Sequence, residues 1–150
     1  MIRSKGTRRR LGMVAVLAFM PGCTEMQGRS DTEFGINLAG AEFGALAPGF
    51  SNRNPGQHGV DFCFPSQDCV AYFASQGMGL IRLPISWERL QPSPMGALNP
   101  KYTNKILQFL ARAETHKCRV VLDLHNYGRY REEGTGGVLE HVVSATTSGD

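Results

Sequence analysis

The sequence predicts an α/β fold, namely the first three β/α units of a (β/α)8 TIM barrel, incomplete in this chain. Three observations predict it. Leu80-Ile81-Arg82-Leu83-Pro84-Ile85 reads as a short buried strand that carries one arginine and opens into a loop bearing Trp87 and Glu88. Arg119 to His125 repeats the design and places Asp123, His125, Asn126 and Tyr127 at its carboxyl end. Apolar strands loaded with polar and aromatic groups at their carboxyl ends match the active-site face of a (β/α) barrel. The third observation is the order strand, helix, strand, helix, strand, with near-continuous apolar strands, which signals a parallel sheet covered by helices. A whole barrel takes about 250 residues, so 150 residues are expected to hold its N-terminal part.

Each element has a local cause. Phe34 to Gly44 reads as a first strand running into a Gly-rich turn. Ala45 to Phe64, rich in Pro, Gly and Asn, reads as a long loop, and loops of that length are often functional. Ser66 is a candidate N-cap for a helix to about Gln76, with Asp68 in its first turn and Val70, Phe73 and Ala74 as its core face. Gly77 and Gly79 end it. Pro100 marks the next helix start. Ile106, Phe109, Leu110 and Ala113 recur at helical spacing, so Lys101 to about His116 is amphipathic. Beyond Gly128 the pattern weakens. Glu132 to Gly137 reads as a Gly-rich loop, and Val138 to Thr147 fits a strand or a short helix equally.

The first 23 residues read as an export signal: a basic stretch from Arg3 to Arg10, an apolar run from Leu11 to Met20, then Pro21-Gly22-Cys23. The apolar run is too short to span a bilayer. Met20-Pro21-Gly22-Cys23 resembles a bacterial lipoprotein box, with Met and Pro in place of the usual Leu and small residue. Lipidation of Cys23 would attach the chain to a membrane; without it the protein is secreted or periplasmic. Residues 24–33 form a linker, and 34–150 belong to the barrel. The net charge of +3 comes from five basic residues among the first ten, leaving 11 basic against 13 acidic residues, so the charge gives no argument for nucleic-acid binding. Export permits disulfides. Cys63 and Cys69 are close enough in sequence for a small staple, and Cys118 reads as a buried small apolar residue. No cysteine–histidine spacing matches a zinc pattern.

Side chains alternate along a strand, so Val121, Asp123 and His125 share one face, as do Leu80, Arg82 and Pro84. A lone charge against the helix layer would be unpaired, so the charged faces point into the barrel. Arg82 and Asp123 are expected to form a buried pair there, either as electrostatic support beneath an active site or as a device that sets strand register. His125 sits one step nearer the mouth. Trp87 either stacks on a sugar face or caps the core. Glu42 and Glu88 follow the first and second strands, as ligands for a polar substrate or as solvated loop carboxylates. Tyr127, Arg129 and Tyr130 make a polar-aromatic loop suited to a carbohydrate.

Gly35-Ile36-Asn37-Leu38-Ala39-Gly40-Ala41-Glu42-Phe43-Gly44 opens a series of three blocks. Ile81-Arg82-Leu83-Pro84 with Trp87-Glu88-Arg89-Leu90-Gln91-Pro92 is the second, and Leu122-Asp123-Leu124-His125-Asn126-Tyr127-Gly128-Arg129-Tyr130 the third. In this order and spacing they resemble the first three β/α units of a glycoside hydrolase family 5 endoglucanase (cellulase). The resemblance covers about Phe34 to Tyr130. It implies retaining hydrolysis of β-1,4-glucans on a (β/α) barrel, with β-glucan as partner, no organic cofactor or metal, and a monomer when complete. It implies that Arg82 and His125 support the active-site carboxylates, and that Asn126 and Tyr127 belong to the substrate-facing rim. The family's two catalytic glutamates follow the fourth and seventh strands, and no Asn-Glu-Pro occurs here, so this chain alone is expected to be inactive. A non-catalytic exported glycan-binding protein and a mannanase or exo-glucanase of the same fold are the alternatives.

Overall fold

The computed structural model describes residues 33–143, which leaves the expected export signal, Cys23 and most of the linker outside the described residues. The elements are β1 (Gly35–Asn37), α1 (Gln67–Ser75), β2 (Leu80–Ile85), α2 (Trp87–Leu90), α3 (Pro100–Thr115), β3 (Arg119–Leu124), β4 (Arg129–Gly134) and β5 (Gly137–Val142). β1, β2 and β3 form one parallel sheet in that order, while β4 and β5 form a separate antiparallel hairpin. No helix among the described residues is long and apolar enough to cross a membrane.

The helices begin where their caps are. Ser66 Oγ accepts the Cys69 amide at 3.2 Å, and Asp68 sits in the first turn of α1. Asn99 Oδ1 accepts the Lys101 and Tyr102 amides at 3.0 and 3.3 Å, with Pro100 as the first residue of α3. Val70 of α1 and Ile106, Phe109 and Ala113 of α3 join Ile81, Leu83 and Ile85 of β2 in one core cluster. Burying each of the larger ones contributes roughly 1.5–3 kcal/mol. β3 lies at the sheet edge, so Leu122 and Leu124 stay well exposed.

β1 is short because the chain turns at Gly40, whose φ is +141° and where a Cβ would lie 2.6 Å from the Cys63 carbonyl oxygen. The Cys63–Cys69 staple is not formed, and both are free thiols. The Cys63 amide bonds the Gly40 carbonyl at 3.1 Å, which holds that cysteine beside Gly40. Cys69 is held in the first turn of α1 by the Ser66 cap and packs against the core. Cys118 is buried, as its sequence context suggested.

β2 opens into a single helical turn, where the sequence suggested a loop. Two adjacent charged residues of that turn, Glu88 and Arg89, are each only 2% exposed. Arg89 donates to the carbonyls of Ala41 (2.8 Å), Phe43 (2.7 Å) and Pro55 (2.7 Å), and its guanidinium lies 3.9 Å from the Phe62 ring centroid. Burial pushes its pKa below the ordinary arginine value. Three carbonyls and an aromatic face offset that cost. Glu88 Oε2 accepts from Ser86 Oγ (2.9 Å) and Asn126 Nδ2 (2.6 Å), and Oε1 accepts the Arg131 amide (2.9 Å). Nearby, the buried Tyr102 hydroxyl accepts the Ser86 amide at 3.2 Å and donates to the Ala41 carbonyl at 3.0 Å.

The chain after Gly128 differs from the expected loop. Residues 132–134 belong to β4, the turn is confined to Thr135 and Gly136, and the segment from Val138 to Val142 is part of strand β5, residues 144–147 lying outside the described residues. β4 is charged, and distant polar groups hold it. The Asn52 amide bonds the Arg131 carbonyl at 2.9 Å, Asn52 Oδ1 accepts the Glu133 amide at 2.8 Å, and Ser51 Oγ donates to Glu133 at 2.8 Å. Between β3 and β4, the Arg129 amide bonds the Asn126 carbonyl at 2.9 Å, with φ of +53° at Tyr127 and +68° at Gly128. Positive φ at both central residues is a type I′ turn, which costs Tyr127 roughly 1–2 kcal/mol relative to glycine.

Three outcomes follow from this packing. Arg89→Ala lowers the urea-derived unfolding free energy by about 3 kcal/mol or more, and Arg89→Lys does not restore it, since a lysine lacks the fork. Tyr127→Asn raises stability by about 0.5–1 kcal/mol, because asparagine tolerates left-handed backbone. Burial pushes the Tyr102 hydroxyl up to about 12. Its neutral form therefore stabilises the fold fully below an unfolded pKa near 10, by an order of 2–3 kcal/mol, and this is lost as pH rises towards 12. Urea titrations at increasing alkaline pH show that decline in the parent chain and a shallower one in Tyr102→Phe.

Candidate active site

A groove lies at the carboxyl ends of β2 and β3. One part, about 210 Å³, is lined by Glu88, His125, Asn126, Tyr127, Arg129 and Arg131 among others. A second part, about 330 Å³, includes Glu42, Phe43 and Leu46, and shares His125 and Tyr127 with the first.

The parallel register places Arg82 opposite Asn37 and Val121, so Arg82, Asp123 and His125 emerge on one face of the sheet. That face is the one turned away from the helices, because Ile81, Leu83 and Ile85 occupy the alternate positions. Arg82 Nη2 pairs with Asp123 Oδ2, and Arg82 Nη1 donates to Asn37 Oδ1 at 2.7 Å. His125 Nδ1 lies 3.1 Å from Asp123 Oδ2 and 3.0 Å from Arg82 Nη2. The ring nitrogen thus has an acceptor and a donor within reach, so the imidazole is held in either tautomer. Nε2 has no hydrogen-bond partner among the described residues. The Arg82 and Asp123 side chains are 40% and 31% exposed, so the expected pair forms but is not buried. Its direct contribution to stability is about 1 kcal/mol or less, and its effect is to orient His125.

Tyr127 is 67% exposed, with its ring centroid 4.8 Å from that of His125, and it forms an aromatic wall of the groove. Glu42 lines the groove, and its carboxylate accepts the Gly40 amide at 2.8 Å. Arg129 and Arg131 both reach Glu140, at 2.6 and 3.2 Å. The Arg131 hydrogen bond, with Arg129 beside it, holds the Glu140 carboxyl below the usual range.

Other expected site residues have different positions. Asn126 accepts the Trp87 amide at 2.9 Å and donates to Glu88, so its side chain joins the end of β3 to α2. Glu88 is no solvated carboxylate, since three hydrogen bonds commit it to the scaffold. Tyr130 does not stand on the rim. It is 3% exposed, donates to the Gln91 carbonyl at 2.8 Å, and burial pushes its pKa up to about 12. Alternation along β4 turns Tyr130 inward between exposed Arg129 and half-buried Arg131. Trp87 meets Tyr130 edge-on at 5.3 Å and donates its indole N–H to Gln91 at 3.0 Å, lining a separate cavity with Pro94 and Val142. Sequence reasoning gave no role to Arg89, Arg131, Asn52 or Tyr102. An opposite-charge dipeptide directly after a buried strand was the available signal for Arg89. Asn52 offered none, because its partners Pro92 and Glu133 are 40 and 81 residues away in sequence. Among the described residues no cluster of His, Cys, Asp or Glu is placed to hold a metal ion.

Comparison with known proteins gives the same answer from another direction. The family model for cellulase (glycosyl hydrolase family 5) matches residues 36–146. A probable endo-beta-1,4-glucanase B of Neosartorya fischeri is 35% identical over 98 residues, which cover 65% of this chain and 28% of that protein. The crystal structure of the endo-beta-1,4-glucanase Xac0029 from Xanthomonas axonopodis pv. citri superposes with a TM-score of 0.59 at 40% identity, covering 66% of this chain and 30% of that one. Pseudomonas stutzeri endoglucanase Cel5A in complex with cellobiose gives a TM-score of 0.59 at 34% identity, with 71% and 30% covered. The chain thus spans about a third or less of the length of these relatives. Three parallel strands that set Arg82 and Asp123 on one face behind the groove-lining His125 belong to the (β/α) barrel of these enzymes, and the chain is a member of glycosyl hydrolase family 5.

Proposed function

We propose that this chain provides the first three β/α units of an exported endo-β-1,4-glucanase that cleaves cellulose or a related β-glucan with retention of configuration. The observation that carries the reading is the Arg82–Asp123–His125 cluster at the carboxyl ends of two parallel strands, within the segment that matches the family. The cellobiose held by the Pseudomonas stutzeri relative supports a β-1,4-linked glucan as the ligand of the groove.

A retaining glycosidase uses two carboxyl groups about 5–5.5 Å apart, one as nucleophile and one as acid and then base. In the proposed mechanism Arg82 and His125 flank the nucleophilic glutamate, and the Arg82 charge together with hydrogen bonds from both side chains keeps it ionised. Asp123 holds both groups in position. The acid/base glutamate protonates the leaving oxygen and later takes a proton from the attacking water. Tyr127 offers a ring face to a sugar. Among the described residues each groove carboxylate already has a partner: Glu42 the Gly40 amide, Glu88 three donors, Glu140 two arginines. Residues 33–143 supply the support and the rim, and the family resemblance assigns the glutamate pair to the fourth and seventh barrel strands. The basic and apolar stretches before Cys23 support export, with lipidation of Cys23 as the route to the cell envelope.

The 150-residue chain alone releases no reducing ends from carboxymethylcellulose. Residues 34–143 substituted for the matching part of the Pseudomonas stutzeri endoglucanase give an active chimera, and His125→Ala lowers its kcat/KM by about 100-fold or more. Turnover by the isolated chain, or a folded active chimera indifferent to His125→Ala, overturns the reading.

A further inference from the structure

A cavity of about 280 Å³ lies between the loop at Pro55–His58 and the first two turns of α3, and it shares no residue with the His125 groove. Its floor is aromatic: Phe62 and Tyr102 meet edge-on at 5.8 Å, and His58 stands against Phe62 at 5.6 Å. Its rim is cationic. Lys101 and Lys105, one helical turn apart, both line it, and neither forms an ion pair with any described residue. No carboxylate lines it, and buried Arg89 adds positive charge behind the floor. Asn99 also lines it, and its Nδ2 has no hydrogen-bond partner among the described residues. The first amides of α3 are already taken by Asn99 Oδ1, so recognition of an anion falls to the two ammonium groups. Burial, with Lys105 nearby, lowers the His58 pKa, which makes that ring an aromatic wall at neutral pH.

We infer that this cavity binds a small aromatic carboxylate, with the ring against Phe62, Tyr102 and His58 and the carboxylate towards Lys101 and Lys105. The volume suits one substituted ring, being at the lower end of ligand pockets of roughly 300–1,000 Å³. Apolar walls disfavour a bare inorganic anion, which would lose hydration without full replacement.

The test is ligand-observed saturation-transfer NMR with 4-hydroxycinnamate titrated into the 150-residue chain. Saturable binding with Kd on the order of 1 mM is expected for a ligand of this size. The double variant Lys101→Glu, Lys105→Glu weakens it at least about tenfold, and 4-vinylphenol, the same ring without the carboxylate, binds about tenfold more weakly than the acid. Because charge reversal on one helix face perturbs folding in some proteins, Lys105→Gln serves as the milder variant, with circular dichroism confirming its helix content. No saturable binding, equal binding by the folded variants, equal binding of 4-vinylphenol, or displacement of the acid by equimolar sulfate overturns the inference.

Discussion

The loops at the carboxyl edge of the sheet depend on a buried dipeptide of opposite charge. Glu88 and Arg89 sit on one short helical turn and point to different clients. Arg89 gathers three carbonyls from the long first loop. Glu88 gathers the end of β3 and the amide of β4. A buried charge is costly unless its hydrogen-bonding capacity is filled. Each loop therefore has one favourable position, since moving away would strand a charge in the interior. That explains how the segment from Ala45 to Phe64, with almost no regular secondary structure, holds a defined course.

The same β2 strand that anchors the core also sets the chemistry of the groove. Ile81, Leu83 and Ile85 face the helices, and Arg82 between them faces the opposite side beside Asp123 and His125. With a period of two, a slip of one residue would drive the arginine into the helix layer and lift three apolar side chains out of it. Fold register and site geometry are thus one constraint. His125, the first residue after β3, is tied to β2 by its amide on the Ile85 carbonyl at 2.9 Å, so the sheet sets the orientation of all three.

Much of this was legible in the sequence. The limits of β2, α1 and α3 follow from apolar runs, the Ser66 N-cap and Pro100, all local signals. The family resemblance, the Arg82–Asp123 pair and the place of His125 at the mouth also follow from local blocks and alternation. What failed was non-local. β4 is a charged strand with little β propensity, and it forms because Asn52 and Glu88 hydrogen-bond its backbone from far along the chain. Tyr130 read as a rim aromatic only while its segment read as a loop; once it is a strand, alternation buries it. Glu88 read as a substrate ligand or a solvated carboxylate, and Arg89 drew no role, because nothing nearby in sequence reveals the groups that converge on them.

The single helical turn between β2 and α3 also bears on how such a groove could diversify. Residues 86–91 bond to the first loop, to α3 through Tyr102, to the tip of β3 and to the hairpin. A substitution at Ser86, Trp87, Glu88, Arg89 or Gln91 therefore disturbs at least one of these distant contacts. Phe43, Leu46 and Tyr127 are instead exposed on the groove wall, where a change of side chain leaves those contacts in place. Freedom to vary on this scaffold accordingly lies on the groove's outer wall, and the helical turn has the least of it.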